Sequence, residues 1–234
     1  MEAEKRLFRE NLSFGALAGH AQRSLSGKWG VSIGVLLLMT LAGILTNIIL
    51  PGVVFGAYLQ CAEEPNFLVA RLLSQLAQRL GGFLISPLNV GAFCLFFCTI
   101  IRGETPSIGM IFRPFSQYGR YLWGYIRPSL FIFLWGLLFI IPGIVATLRY
   151  SMTCYIMLDH PEYSVKQAMT ESCAITRGYK WRLFGYGLLL GLIGALVIVL
   201  TLGLGMFWFL PWSCAFYASI YESLRRGPEP TAAM

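Results

Sequence analysis

Long uninterrupted apolar runs separated by short basic segments set the pattern of this chain. The runs do not alternate apolar and polar positions, which excludes a membrane β-barrel, and their length predicts helices. Six runs are read as spans: about 29–51, 82–101, 124–142, 143–159, 182–203 and 206–224. A helix of about 20 apolar residues crosses a bilayer, and in hydrocarbon every backbone amide must be satisfied within its own helix. The predicted fold is therefore an all-α integral membrane domain of six transmembrane helices paired as three hairpins, covering the whole chain, 1–234.

The hairpins echo one another. Ile49-Leu50-Pro51-Gly52-Val53-Val54 returns as Ile140-Ile141-Pro142-Gly143-Ile144-Val145. Each run opens with a basic residue beside an aromatic: Lys28-Trp29, Arg120-Tyr121 and Lys180-Trp181. From these openings to Pro51, Pro142 and Gly203 the spacings are twenty-three, twenty-two and twenty-three residues. This predicts hairpin turns at Pro51-Gly52, Pro142-Gly143 and Gly203, and three parallel repeats of one unit, over about 13–103, 107–160 and 164–227. Parallel units differ from the inverted repeats of many transporters. An interfacial or amphipathic segment is expected before each hairpin: Ser13 starts one, ending at Gly27, and Ser164 starts another, ending at Gly178. Ser164 with Gln167 forms a capping box, Gly178 suits a helix stop, and Val165, Ala168, Met169, Ser172 and Cys173 share a face. Such a helix can lie in the headgroup layer. The first unit carries an insertion, 55–80, in which Phe67 to Leu80 is expected to form an outer surface helix.

Composition agrees with lipid as solvent. Hydrophobic residues make up 56% and charged residues 12%, against roughly 25% charged in soluble domains. The net charge of +7 is read as basic residues flanking helices on the cytoplasmic side, with no nucleic acid partner. Basic residues gather before 29, in 102–127, in 160–182 and at Arg225-Arg226, whereas 52–81 sets Arg71 and Arg79 against Glu63 and Glu64. Six spans place all four basic segments, and both termini, in the cytoplasm. Treating 124–158 as one kinked span leaves five spans and puts two basic segments on the wrong side. The first run is too long for a signal-peptide core and is expected to act as an uncleaved anchor. Of the six cysteines, only Cys61 falls in a predicted outer loop, so no disulfide framework is implied. Cys94 and Cys98 share a helix face without a companion His or Cys pair, so no metal or cofactor is expected.

Few residues carry chemistry. Arg149 follows Pro142-Gly143 inside a run, where it could snorkel, cap carbonyls freed at the turn, or hold a lipid phosphate. Asp159-His160-Pro161 admits an acid–base reading, but Asp-x-Pro is also the chemistry of an interfacial turn. Arg149, Asn89, Tyr150 and Ser151 could line a polar path between hairpins. Gly185, Gly187, Gly191 and Gly194 permit close helix approach, and Trp29, Trp123, Trp181 and Trp212 fit an interfacial belt. No phosphate-binding loop, HExxH or kinase signature is present.

The stretch Leu134-Trp135-Gly136-Leu137-Leu138-Phe139-Ile140-Ile141-Pro142-Gly143-Ile144 resembles the core motif of a bacterial integral-membrane family catalogued as domain of unknown function 975. Tyr150-Ser151-Met152, Leu158-Asp159-His160-Pro161, Ala168, Ser172, Gly178 and Leu183-Phe184 extend the resemblance, which covers roughly 120–225 well. The family pattern reads Asp-Asn-Pro where this chain has Asp159-His160-Pro161. The chain is also distantly similar to the membrane domain fused to some glycerophosphodiester phosphodiesterases. The resemblance implies a bacterial cytoplasmic-membrane protein and transfers no catalytic residue.

The leading expectation is a non-enzymatic protein that binds or organises membrane lipids, another membrane protein or a second copy of itself. Lys28, Trp29, Arg149, Lys180 and Trp181 are its candidate lipid contacts. A transporter or channel through the Asn89, Tyr150 and Ser151 path is the alternative. A lipid hydrolase or transferase would have only Asp159 and His160 to work with.

Overall fold

The computed structural model describes residues 12–62 and 66–225. Lys5, Arg6, Arg9, Glu63, Glu64 and Arg226, which entered the orientation reading, lie outside them. The described residues form ten α-helices and one 3-10 turn. In chain order these are α1 (Phe14–Leu25), α2 (Trp29–Cys61), α3 (Phe67–Ile101), a 3-10 turn (Ile108–Phe112), α4 (Arg113–Ser116), α5 (Tyr118–Leu138), α6 (Ile140–Tyr150), α7 (Thr153–Asp159), α8 (Val165–Ile175), α9 (Lys180–Thr201) and α10 (Met206–Arg225). Four described segments are long and apolar enough to cross a membrane: Trp29–Cys61, Phe67–Ile101, Ile140–Asp159 and Lys180–Thr201. The described residues are thus all-helical and compatible with a membrane location. α5 and α10 have comparable lengths, 21 and 20 residues, but contain Arg120 and Arg127, and Glu222 and Arg225.

The first hairpin departs from expectation. Pro51 lies inside α2 and Gly52 continues the helix, so the chain does not turn there. A proline removes one ladder bond, but Val53 to Leu59 carry no charged or strongly polar residue and the helix continues to Cys61. Asn66 opens α3, which packs against α2, by accepting a hydrogen bond from the Leu68 amide at 2.9 Å. Phe67 to Leu80 is therefore the first part of α3 and not a separate surface helix. With 33 and 35 residues, α2 and α3 are each roughly 50 Å long, against roughly 33 Å for α9. Lys28 donates to the Glu104 carbonyl and Arg102 pairs with Glu222, so the feet of α2, α3 and α10 are tied together. The α2–α3 hairpin outruns the α9–α10 hairpin at the far end.

The second hairpin turns at Phe139, whose backbone is extended at φ −157° and ψ 148°. Pro142 and Gly143 lie in the first turn of α6, where a proline's missing N–H costs nothing. Gly143 serves the crossing: a Cβ there would sit 2.8 Å from the Gly136 Cα. The return arm of this hairpin is also divided, α6 ending at Tyr150 and α7 starting at Thr153. In the third hairpin, Leu202 and Gly203 take φ of 51° and 88°, and the chain reverses there. Gly194 lies against the Phe209 ring, whereas Gly185 and Gly191 face open space.

The buried residues concentrate at the foot. The last four turns of α3 and the second half of α10 are enclosed, with Phe96, Phe97, Phe216, Ile220 and Tyr221 almost inaccessible. Elsewhere α2, the first half of α3 and α9 present apolar side chains outward. The amphipathic segments are brackets on this core. α1, capped by Ser13, buries Leu17, Ala21 and Leu25 against α3 and α10. α8 carries the Ser164–Gln167 capping box and buries Val165, Ala168, Met169 and Ser172 against α5, α6 and α7. Its apolar face is covered by protein, so it does not lie apolar side down in a headgroup layer. The Ser172 hydroxyl donates to the Arg149 carbonyl at 2.7 Å and accepts from the Met152 amide at 3.3 Å, bridging the break between α6 and α7.

Candidate functional site

Three helix ends bring four charges together at the foot. Arg102, just past α3, donates to both Asp159 oxygens at 2.8 and 2.7 Å and reaches Glu222 at 3.3 Å. Arg225 closes the far side, 2.9 Å from Glu222 and 3.5 Å from Asp159. The Tyr221 hydroxyl donates to Asp159 at 2.7 Å. The carboxylates are 9% and 7% exposed, and the two cations balance the two anions. Burial works against the Arg102 charge, but the hydrogen bond and field of Asp159, joined by Glu222, outweigh it and hold the guanidinium above its ordinary range. Nothing local in the sequence links Arg102, Asp159 and Glu222.

Asp159 therefore faces inward, away from its neighbour. His160 pairs with Glu162 at 2.9 Å and stacks on Tyr163 at 4.4 Å between ring centroids. A hydrogen bond from its own backbone amide, then one from His160, holds the Glu162 carboxyl below the usual carboxylate range. The two halves of the supposed acid–base pair serve different partners. Arg120 organises the same turn, donating to the carbonyls of Met157, His160, Pro161 and Tyr163 at 2.5–3.2 Å. It neutralises the exposed carbonyl end of α7, as a cation at a helix C-terminus should. Arg120→Ala is expected to cost about 1 kcal/mol, because water can replace part of this cap. Amide hydrogen exchange should rise across 157–164 and stay unchanged in α9.

The three opening cations have different fates. Lys28 donates to the Glu104 carbonyl at 2.8 Å, and Arg120 is satisfied by four carbonyls. No described residue pairs with the Lys180 ammonium. Lys180 instead stands at the edge of a groove of about 370 Å³ between α6 and α9, lined by Ile141, Ile144, Val145, Leu148, Trp181 and Phe184. Trp181 is 86% exposed, while Trp29 packs against the core. Arg149 is exposed and follows Leu148, but the groove lining does not include it.

A second cavity, about 140 Å³, lies between α3, α5 and the α6–α7 break. Tyr150 and Ser151 line it with Tyr121, Tyr125 and Ser129; Asn89 and Arg149 do not. The proposed polar path is thus brought together only in part. At roughly 30 Å³ per water, the cavity has room for a few waters. Among the described residues, no cluster of three or more His, Cys, Asp or Glu is arranged to hold a metal ion.

No curated protein and no solved structure matches the chain. Residues 126–227 match the model of a family described as protein of unknown function (DUF975). The match takes in Asp159, Glu222 and the Lys180 groove, and leaves out Arg102. Over that part, somewhat less than half of its length, the chain is similar to the DUF975 family.

Proposed function

We propose that the chain is a non-enzymatic, multi-pass protein of a bacterial cytoplasmic membrane that binds and organises lipid. The observation that carries this reading is the contrast between polar and apolar chemistry. Asp159, Glu222 and His160 all hold structural partners, while α2, α3 and α9 offer long apolar faces. We further read the chain as six spans in three hairpins with both termini cytoplasmic. The match between Ser13–Gly27 and Ser164–Gly178 supports repetition of the unit: each stretch starts with a serine cap, ends at a glycine of φ near 80°, and covers fifteen residues. A second copy or another membrane protein against the exposed α2–α3 tip is the partner this reading allows besides lipid.

Melting of the full chain in mild detergent tests it. Anionic or zwitterionic phospholipid at about a hundred times its Kd should stabilise by about 2.7 kcal/mol, raising Tm by roughly 5–10 °C. No rise with either lipid contradicts lipid binding. A second reading, passage of a small solute between hairpins, is supported by the hydroxyl-lined cavity. Solute flux into proteoliposomes that Ser151→Leu abolishes would favour it.

A further inference from the structure

Resting on the lipid-binding reading, we propose that the groove between α6 and α9 is the site of one anionic glycerophospholipid. Its phosphate pairs with Lys180 and an acyl chain lies along Ile144, Leu148 and Phe184. The comparison of the three opening cations carries the inference. Where Lys28 and Arg120 occupy the corresponding positions, backbone carbonyls satisfy them. At Lys180 no described residue does so, and the surface beside the ammonium is apolar. A lysine that borders hydrocarbon-lined space fits an amphiphile with a negative head.

The surroundings favour that head. The first turn of α9 has no side-chain cap and no acidic residue, so its free N–H groups and helix dipole add positive potential beside Lys180. Arg177 and Arg182 flank it in exposed positions. Trp181 forms one wall with its ring outward, as aromatic side chains do at the headgroup level. The volume falls within the roughly 300–1,000 Å³ of small-ligand sites, and the groove opens where α6 and α9 already present apolar side chains to the surroundings.

Native mass spectrometry of the full chain in mild detergent tests the site. The probes are phosphatidylglycerol, phosphatidylcholine and glycerophosphoglycerol, the same head without chains. One phosphatidylglycerol should bind about tenfold tighter than phosphatidylcholine, and the chainless head should not bind. Lys180→Gln should abolish the preference between the two lipids, and Lys180→Arg should keep it. Ile144→Trp should fill the groove and lower occupancy by both. Lys166→Gln, an exposed cation on α8, should behave as wild type. Wild-type occupancy by phosphatidylglycerol in both Lys180→Gln and Ile144→Trp would overturn this site and leave the broader lipid reading standing. Binding of the chainless head would overturn the amphiphile claim. Failure of the wild-type protein to bind either lipid would overturn both. Val145→Phe, which enters the same groove from another side, serves if Ile144→Trp does not fold.

Discussion

Replacing Arg102 with methionine is expected to cost about 3 kcal/mol, the scale for breaking a buried ion pair by removing one partner. Asp159 and Glu222 are almost covered, and Arg102 is the cation that grips both oxygens of Asp159 while also reaching Glu222. Without it, Arg225 must serve two carboxylates, and its 3.5 Å approach to Asp159 is already the longest in the cluster. The damage should spread, because the cluster joins the ends of α3, α7 and α10. Arg102→Lys keeps the charge but cannot donate in the same forked manner, so its loss should be roughly 1 kcal/mol. Thermal melting and protease resistance in detergent would rank wild type above Arg102→Lys and Arg102→Lys above Arg102→Met. A methionine variant as stable as wild type would show that the cluster contributes nothing net.

Gly143→Ala is expected to destabilise by about 2 kcal/mol, within the usual range for overpacking. In an ordinary helix this substitution gains roughly 0.5–1 kcal/mol. Here the added carbon would meet the Gly136 Cα at 2.8 Å and its nitrogen at 3.2 Å. Backbone cannot rotate aside as a flexible side chain can, so α5 and α6 must part. Gly43, on the open face of α2 with nothing within 4 Å, provides the control, and Gly43→Ala should cause no loss. Equal melting of the two variants would contradict close packing at the α5–α6 crossing.

Local signals in the sequence located caps and breaks well where polar side chains act on nearby backbone. Ser13, Ser164 with Gln167, and Gly178 occupy the positions their chemistry implies. Pro51 and Pro142 misled because a proline is tolerated inside an apolar helix and in its first turn alike. Their shared motif hides two different roles: Pro51 lies within α2, which runs on to Cys61, and Pro142 follows the turn at Phe139. The face of α8 was legible, but not its covering: an amphipathic stripe is the same whether lipid or protein lies against it. The charge cluster had no local trace, since Arg102, Asp159 and Glu222 each look like a helix flank. The importance of Lys180 was legible only as one of three alike, and their difference emerges from what surrounds each one.

On the lipid proposal, that difference selects one place on a molecule whose other faces are also apolar. A density map of the full chain in phosphatidylglycerol nanodiscs tests this most directly. Elongated density beside Ile144 and Phe184, ending at the Lys180 ammonium, is the expected result. Ordered lipid around α2 and α3 with none in the Lys180 groove would contradict it.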